Sequence, residues 1–157
     1  MLRLFCLLIM CGIAGFIKFP NNLSPDNLKK YSLSMSNTLK NRGPDQSGFW
    51  TDPSSGIALS HRRLSVIDLS ANANQPMISS NKRYVIVYNG EIYNFIHLRN
   101  FLKKKIKFKT KCDTEVLLEL ISTLCLEKTV SKLNGIFAFA VWDKKEKNSL
   151  YVEIELV

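Results

Sequence analysis

The sequence predicts an α+β domain in which strands outnumber helices and the two do not alternate regularly. Runs rich in β-branched and aromatic residues recur between turn signals, at residues 13–19, 57–60 and 84–88 and in "GIFAFAVWD" and "LYVEIELV". Three helical patterns interrupt them, without the strand–helix–strand rhythm that a parallel sheet requires. The chain has 157 residues, 46% hydrophobic and 22% charged, which suits one globular domain with a sizeable core.

Each element has a local reason. Residues 13–19 are an apolar stretch suited to a buried strand, and "FPNNLSPDN" is the turn after it. Ser24 is a good N-cap and Pro25 a good first helical residue; Leu28, Tyr31, Met35 and Leu39 then recur at helical spacing, so residues 25–40 read as a helix. "NRGPD" ends it, because Gly43 terminates helices and Pro44 lacks the donor to continue one. Residues 49–50 and 57–60 read as a hairpin around "TDPSSG". "HRRLSVIDLS" begins polar and turns apolar, and "ANANQPMISSNKR" reads as a loop. Residues 84–88 form a strand expected to stop at the turn dipeptide Asn89-Gly90. Asn94 is placed to cap a helix bearing Phe95, Leu98, Phe101 and Leu102 on one face. Ile106 and Phe108 alternate with lysines, as in a strand with one wet face. Asp113 is placed to cap a helix with Val116, Leu117, Leu120, Ile121 and Leu124 as its stripe. "GIFAFAVWD" is a buried strand, "KKEKNS" its hairpin turn and "LYVEIELV" the last strand.

The formal net charge is +9, and much of it is concentrated at Arg99, Lys103, Lys104, Lys105, Lys107, Lys109 and Lys111. With no accompanying nucleic-acid motif, this stretch reads as a solvated helix end followed by a strand with lysines on its wet face, and no nucleic-acid partner is expected. The four cysteines, at positions 6, 11, 112 and 125, form no CxxC pair, and no Cys/His cluster has zinc spacing. No metal site is expected, and a reducing, cytoplasmic setting is. The sequence has no run of 18 apolar residues, so no membrane partner is expected. Arg3 followed by Leu4 to Ile9 has the outline of a short signal peptide, but the apolar run is brief and Met10 is not the small residue that precedes a cleavage site.

Four places can carry chemistry. Cys11 follows Met10; as a first residue it would hold both a thiol and, in its own α-amino group, a base of pKa about 7.7–8.0. Within a longer chain it is a small core residue. Arg63 offers a fork that matches a carboxylate, or else a surface salt bridge. Asn89, Gly90 and Glu91 place an amide, a flexible backbone N–H and a carboxylate side by side, either an oxyanion site or a plain turn. Asp113 stands at a helix start, where capping explains it without function.

Taken together, "MCGIAGF", "RGPD", "HRRLSVIDLS", "NQPM", "YNGEIYN", "CDTEVLL" and "LNGIFAFAVWD" resemble, in order and spacing, the class II glutamine amidotransferases, and in particular the glutaminase half of glutamine-hydrolysing asparagine synthetases. The resemblance implies a four-layer αββα N-terminal-nucleophile hydrolase fold over residues 10–157, C-terminally incomplete, preceded by a 1–9 extension with the true start at Met10. It implies that Cys11 attacks the side-chain amide of glutamine and that Asn89 and Gly90 stabilise the oxyanion. Arg63, with backbone from Leu64, Ser65, Val66 and Ile67, would hold the α-carboxylate, and Asp113 and Glu91 the α-ammonium, while Arg42 gives structural support. No cofactor is implied for this half; ATP and Mg belong to the synthetase domain, which is absent from this sequence and would receive the ammonia on another chain. Two alternatives remain: an inactive relic with Cys11 blocked, and a secreted or lipid-anchored protein using residues 1–10 as a signal.

Overall fold

The computed structural model describes residues 11–17, 22–65, 68–147 and 150–155, the last of these by backbone alone. The 1–9 extension, the end of the first strand, Val66, Ile67 and part of the "KKEKNS" turn lie outside the described residues.

The chain runs β1 (Gly12–Ile17), α1 (Pro25–Thr38), β2 (Gln46–Asp52), β3 (Ile57–Arg63), a 3₁₀ turn (Ala71–Ala73), β4 (Met77–Ile78), β5 (Tyr84–Ile92), α2 (Phe95–Leu102), α3 (Asp113–Leu124), α4 (Leu126–Val130), β6 (Gly135–Asp143) and β7 (Leu150–Glu155). The strands form two antiparallel sheets, one ordered β1-β3-β2 and the other β4-β5-β6-β7.

Alternation along the strands assigns side chains to layers, because successive residues of a strand point to opposite faces. Val85 and Val87 face the first sheet and pack with Ile57, Leu59 and Trp142, with Ile13, Trp50 and Ala140 against them. Ile86, Tyr88 and Ile92 face the other way, joining Phe137, Phe139 and Val141 of β6 against Leu98 and Leu102 of α2 and Val116, Leu117, Leu120 and Ile121 of α3. α1 covers the outer face of the first sheet. The result is the αββα stack, with β3 and β5 the strands that meet across the middle.

Small residues bring α1 close to its sheet. Its buried face is Leu28, Ser32 and Ser36, whereas Tyr31 and Met35, expected in the stripe, are exposed. Ser32 Oγ donates to the Leu59 carbonyl at 3.5 Å, and a Cβ on Gly12 would sit 2.8 Å from Leu39 Cβ. Larger side chains at these positions would hold the helix off the sheet.

α3 is buried nearly all round, and its three carboxylates each tie down another segment. Asp113 accepts from the Tyr88 hydroxyl (2.7 Å) and the Ile92 amide (3.1 Å). Glu115 accepts from the Lys109 and Thr110 amides and the Thr110 hydroxyl, and Glu119 from the amide and hydroxyl of Ser80. At the far end of β5–β6, Arg83 grips Asp143 with Nε and Nη2, at 2.5 Å for the shorter contact. Burial works to raise the Asp143 carboxyl; Arg83 and the Lys145 and Glu146 amides outweigh it and hold it below its usual range.

Several local expectations give way to tertiary packing. β5 does not stop at Asn89-Gly90 but runs on to Ile92, since β6 pairs with it through Asn89↔Ala138 and Gly90↔Phe137. Residues 106–108 form no strand; they follow the turn closing α2, and Phe101 on that helix is 57% exposed. The loop at 71–83 contains the 3₁₀ turn and β4, and α4 is a helix beyond the three expected. Asn94 makes no capping bond; its side chain instead bonds Lys132 O and Asn134 N, joining the start of α2 to the start of β6. Asp113 is the first residue of α3 rather than its N-cap, a place taken by Cys112.

Gly90 has φ +152°, and a Cβ there would collide with the Ile136 carbonyl and Phe137 Cα on β6. Gly90→Ala should therefore lose on the order of 1–3 kcal/mol of stability from backbone strain alone, measurable by urea unfolding; an unchanged midpoint would mean that β5 and β6 separate freely here.

His61 lies fully buried in β3, with Nε2 3.0 Å from the Tyr88 carbonyl and Nδ1 without a partner among the described residues. Burial, aided by the Arg63 charge and opposed by the Tyr88 carbonyl, lowers its pKa from 6.5 to about 4. Between those values the unfolded chain binds a proton that the folded chain refuses, so stability falls as pH drops, by at most about 1.4 kcal/mol per pH unit. Unfolding curves of the parent and His61→Gln across this window should converge as pH falls; parallel curves would mean that the folded chain protonates His61 normally.

Candidate active site

The thiol of Cys11 is placed by sheet register. β1 pairs with β3 through Gly12↔Arg62, so Cys11, just before β1, falls opposite Arg63, the last residue of β3, and next to Leu64. Cys11 Sγ accepts from the Leu64 amide at 3.3 Å and lies 3.6 Å from the Leu64 carbonyl. Cys11 is half-buried, and burial raises its pKa; the Leu64 amide and the Arg63 charge oppose this, and the Asp113 charge adds to it. The resting thiol is therefore protonated at neutral pH and needs a base to become a nucleophile. His61 makes no hydrogen bond to Cys11; its Nε2 meets the Tyr88 carbonyl on β5.

The segment that receives the thiol is held from behind by "RGPD". Gly43 packs so tightly on the backbone of Arg62 and Arg63 that a Cβ would overlap it. The Asp45 amide donates to the Arg63 carbonyl (3.1 Å), and the Asp45 carboxylate accepts from the Ser65 amide (2.7 Å). Arg42 is exposed on the turn beside Gly43. Asp45 stood in a recognisable motif, but only the folded chain sets it against Ser65.

Arg63 is 7% exposed and turned into the loop that follows it. Nη1 donates to the Ser70 carbonyl (3.0 Å) and Asn74 Oδ1 (2.7 Å), and Nη2 donates to the Asp68 carbonyl. These three bonds leave two of the five donors of a guanidinium without a partner among the described residues. Asp68 carries the clamp further, accepting from the Lys111 amide (2.7 Å) and the Ser70 amide (2.8 Å), and these bonds lower its pKa to about 2. Asp68 stands in "HRRLSVIDLS" and Asn74 in "NQPM", but neither motif shows what its side chain bonds.

Across the sheets, β5 lies against β1 and β3. Asn89 is half-buried, and its side-chain amide makes no hydrogen bond among the described residues. Gly90 follows it with the backbone geometry described above, and Glu91 is exposed. Asp113, 4% exposed, reaches this strand from below, and its charge is felt at Cys11. Burial raises the Asp113 pKa against the hydrogen bonds from Tyr88, Ile92 and Thr114 that favour the carboxylate. Gln75 of "NQPM" supports the same strand: its Oε1 accepts from the Tyr88 amide at 2.6 Å, and its Nε2 reaches the Thr114 hydroxyl. Cys11, Arg63, Leu64 and Asp113 are thus brought to one place, whereas Glu91 is exposed at its edge.

This chain is similar to known proteins along nearly its whole length. The family model described as "Glutamine amidotransferase domain" matches residues 10–153. The Bacillus subtilis (strain 168) protein named asparagine synthetase [glutamine-hydrolyzing] 3 is 41% identical over 145 residues, covering 90% of this chain and 22% of that protein. Asparagine synthetase B [glutamine-hydrolyzing] of Escherichia coli (strain K12) is 37% identical over 137 residues, covering 87% of this chain and 24% of that protein. The chain thus spans less than a quarter of the length of these relatives. The solved structure of glutamine phosphoribosylpyrophosphate amidotransferase from B. subtilis superposes with a TM-score of 0.66 at 22% identity, over 93% of this chain and 37% of that one, and shares the N-terminal-nucleophile hydrolase fold. With a family match over most of its residues and the same layered fold, this chain belongs to the glutamine amidotransferase domain family.

Proposed function

We propose that this chain hydrolyses the side-chain amide of glutamine to glutamate and ammonia, with Cys11 as nucleophile. The observation that carries the reading is the seating of a protonated thiol on the Leu64 backbone, beside a buried cation and a buried carboxylate, in a chain of this family. Glutamine presents a carboxylate and an ammonium at the end remote from its amide. Arg63 supplies the fork, with the 64–67 segment beside it, and Asp113 the counter-charge for the ammonium, with Glu91 at the rim.

In this mechanism the α-amino group of an N-terminal Cys11 takes the thiol proton as sulfur bonds to the amide carbon. The carbonyl electron pair moves onto oxygen, where the Asn89 amide and the Gly90 N–H receive it. Collapse of that intermediate breaks the C–N bond, and the leaving nitrogen takes the proton back to depart as ammonia. Water then attacks the thioester, breaking the C–S bond, releasing glutamate and restoring the thiol. The raised thiol pKa supports the need for such a base. The relatives are named as glutamine-hydrolysing asparagine synthetases, and we propose the same destiny for the ammonia, on a synthetase domain that uses ATP and Mg.

Two measurements test this reading. A chain beginning at Met10, whose methionine is removed, should be labelled at Cys11 by a glutamine-like electrophile and should release glutamate, while a chain retaining residues 1–9 should do neither. Equal labelling of both, confirmed by intact mass, would discard the α-amino base. Asn89→Ala should lower kcat on the order of 10²–10³-fold with little change in KM for glutamine. A raised KM at unchanged kcat would make Asn89 a binding residue instead.

A further inference from the structure

Remote from Cys11 in sequence, the basic stretch forms a concave site. Arg99, Lys103, Lys104, Lys105 and Lys107 line a cavity of about 510 Å³, together with Ile106 and Phe108 and with no carboxylate. The volume lies within the range of small-molecule sites. Arg99 is held in place: its guanidinium stacks on the Phe108 ring at 4.1 Å, and Nη2 donates to the Thr110 carbonyl at 2.6 Å. Its Nη1 is buried with no hydrogen-bond partner, and among the described residues no carboxylate pairs with it. Of the acidic side chains that follow this stretch, Glu115 is spent on the Lys109 and Thr110 amides and Asp113 on Tyr88 and Ile92. The macrodipole at the end of α2 favours cations at Lys103 to Lys105, but it does not account for Arg99 and Lys107 converging on the same cavity. Like charges gathered around a half-buried, unpaired guanidinium repel one another unless an anion joins them.

We propose that this cavity binds a small polyanion carrying at least two phosphate groups. A single carboxylate would leave most of the five lining cations unmatched, whereas a chain of phosphates offers several charges and pairs of oxygens that can meet the fork of a guanidinium. The site is independent of the glutaminase reading, since none of its residues belongs to the Cys11 machinery.

Calorimetric titration of the full chain with inorganic tripolyphosphate tests it. Saturable one-to-one binding that weakens with salt is expected. Lys104→Glu with Lys107→Glu, both exposed side chains, should weaken it at least about tenfold, and Lys104→Ala with Lys107→Ala less so. A control pair on α1, Lys29→Glu with Lys30→Glu, makes the same change in net charge and should leave the affinity unaltered. Equal losses in the control, absence of saturable binding, or sulfate binding as tightly as tripolyphosphate would each overturn the proposal. So would a single-stranded oligonucleotide or an anionic lipid vesicle binding at these lysines without being displaced by tripolyphosphate.

Discussion

A buried carboxylate ties the second sheet to the helix layer that covers it. Asp113, at the start of α3, accepts from the Tyr88 hydroxyl and the Ile92 amide, residues that bracket Asn89-Gly90 on β5. An ionised carboxylate in such a place is tolerable only while its oxygens are supplied with donors, so the helix cannot slide without leaving a charge unsatisfied. The bond therefore fixes the height of α3 on the second sheet. Through β5 it also fixes what that sheet presents to β1 and β3.

The loops around the thiol are built on the same economy of side chains satisfying backbone. Arg63 gathers the carbonyls of Asp68 and Ser70, Asp68 gathers the amides of Ser70 and Lys111, and Asp45 takes the amide of Ser65. A loop with no ladder of its own must find partners for its peptide groups elsewhere, and here nearly every partner is a charged side chain from a neighbouring motif. Leu64 and Ser65 are thereby held where the Leu64 amide meets the Cys11 thiol. Rigidity at this point matters chemically, because an acyl-transfer site depends on donors fixed in advance of the developing charge.

The electrostatics separate two kinds of basic group. Arg63 is buried, bonded and near the thiol, where its charge partly offsets the cost of burying Cys11. Arg99 and its lysines stand at the other extreme, crowded together without a carboxylate. The net charge of +9 is thus not a uniform coat but is weighted toward one concave patch.

Much of this protein is written in local sequence. Alternation in "GIFAFAVWD", the Ser24-Pro25 start of α1 and the apolar stripe of α3 each specify their element, because period and capping act over a few residues. The motif order also marked Cys11, Arg63, Asn89 and Asp113. What local pattern could not show is where a strand ends when a partner continues it: Asn89-Gly90 is turn-like in isolation, and only β6 keeps it extended. Nor could it show that Ile106 and Phe108 lack a strand to pair with, or that Tyr31 and Met35 would face water once serines brought α1 onto the sheet. The roles of Asp45, Asp68 and Asn74 were likewise decided by tertiary structure, since each contact joins segments brought together only by folding. Sequence determined the elements with a clear period or cap and which residue types are reactive; long-range packing decided the remaining elements and which backbone groups those residues must satisfy.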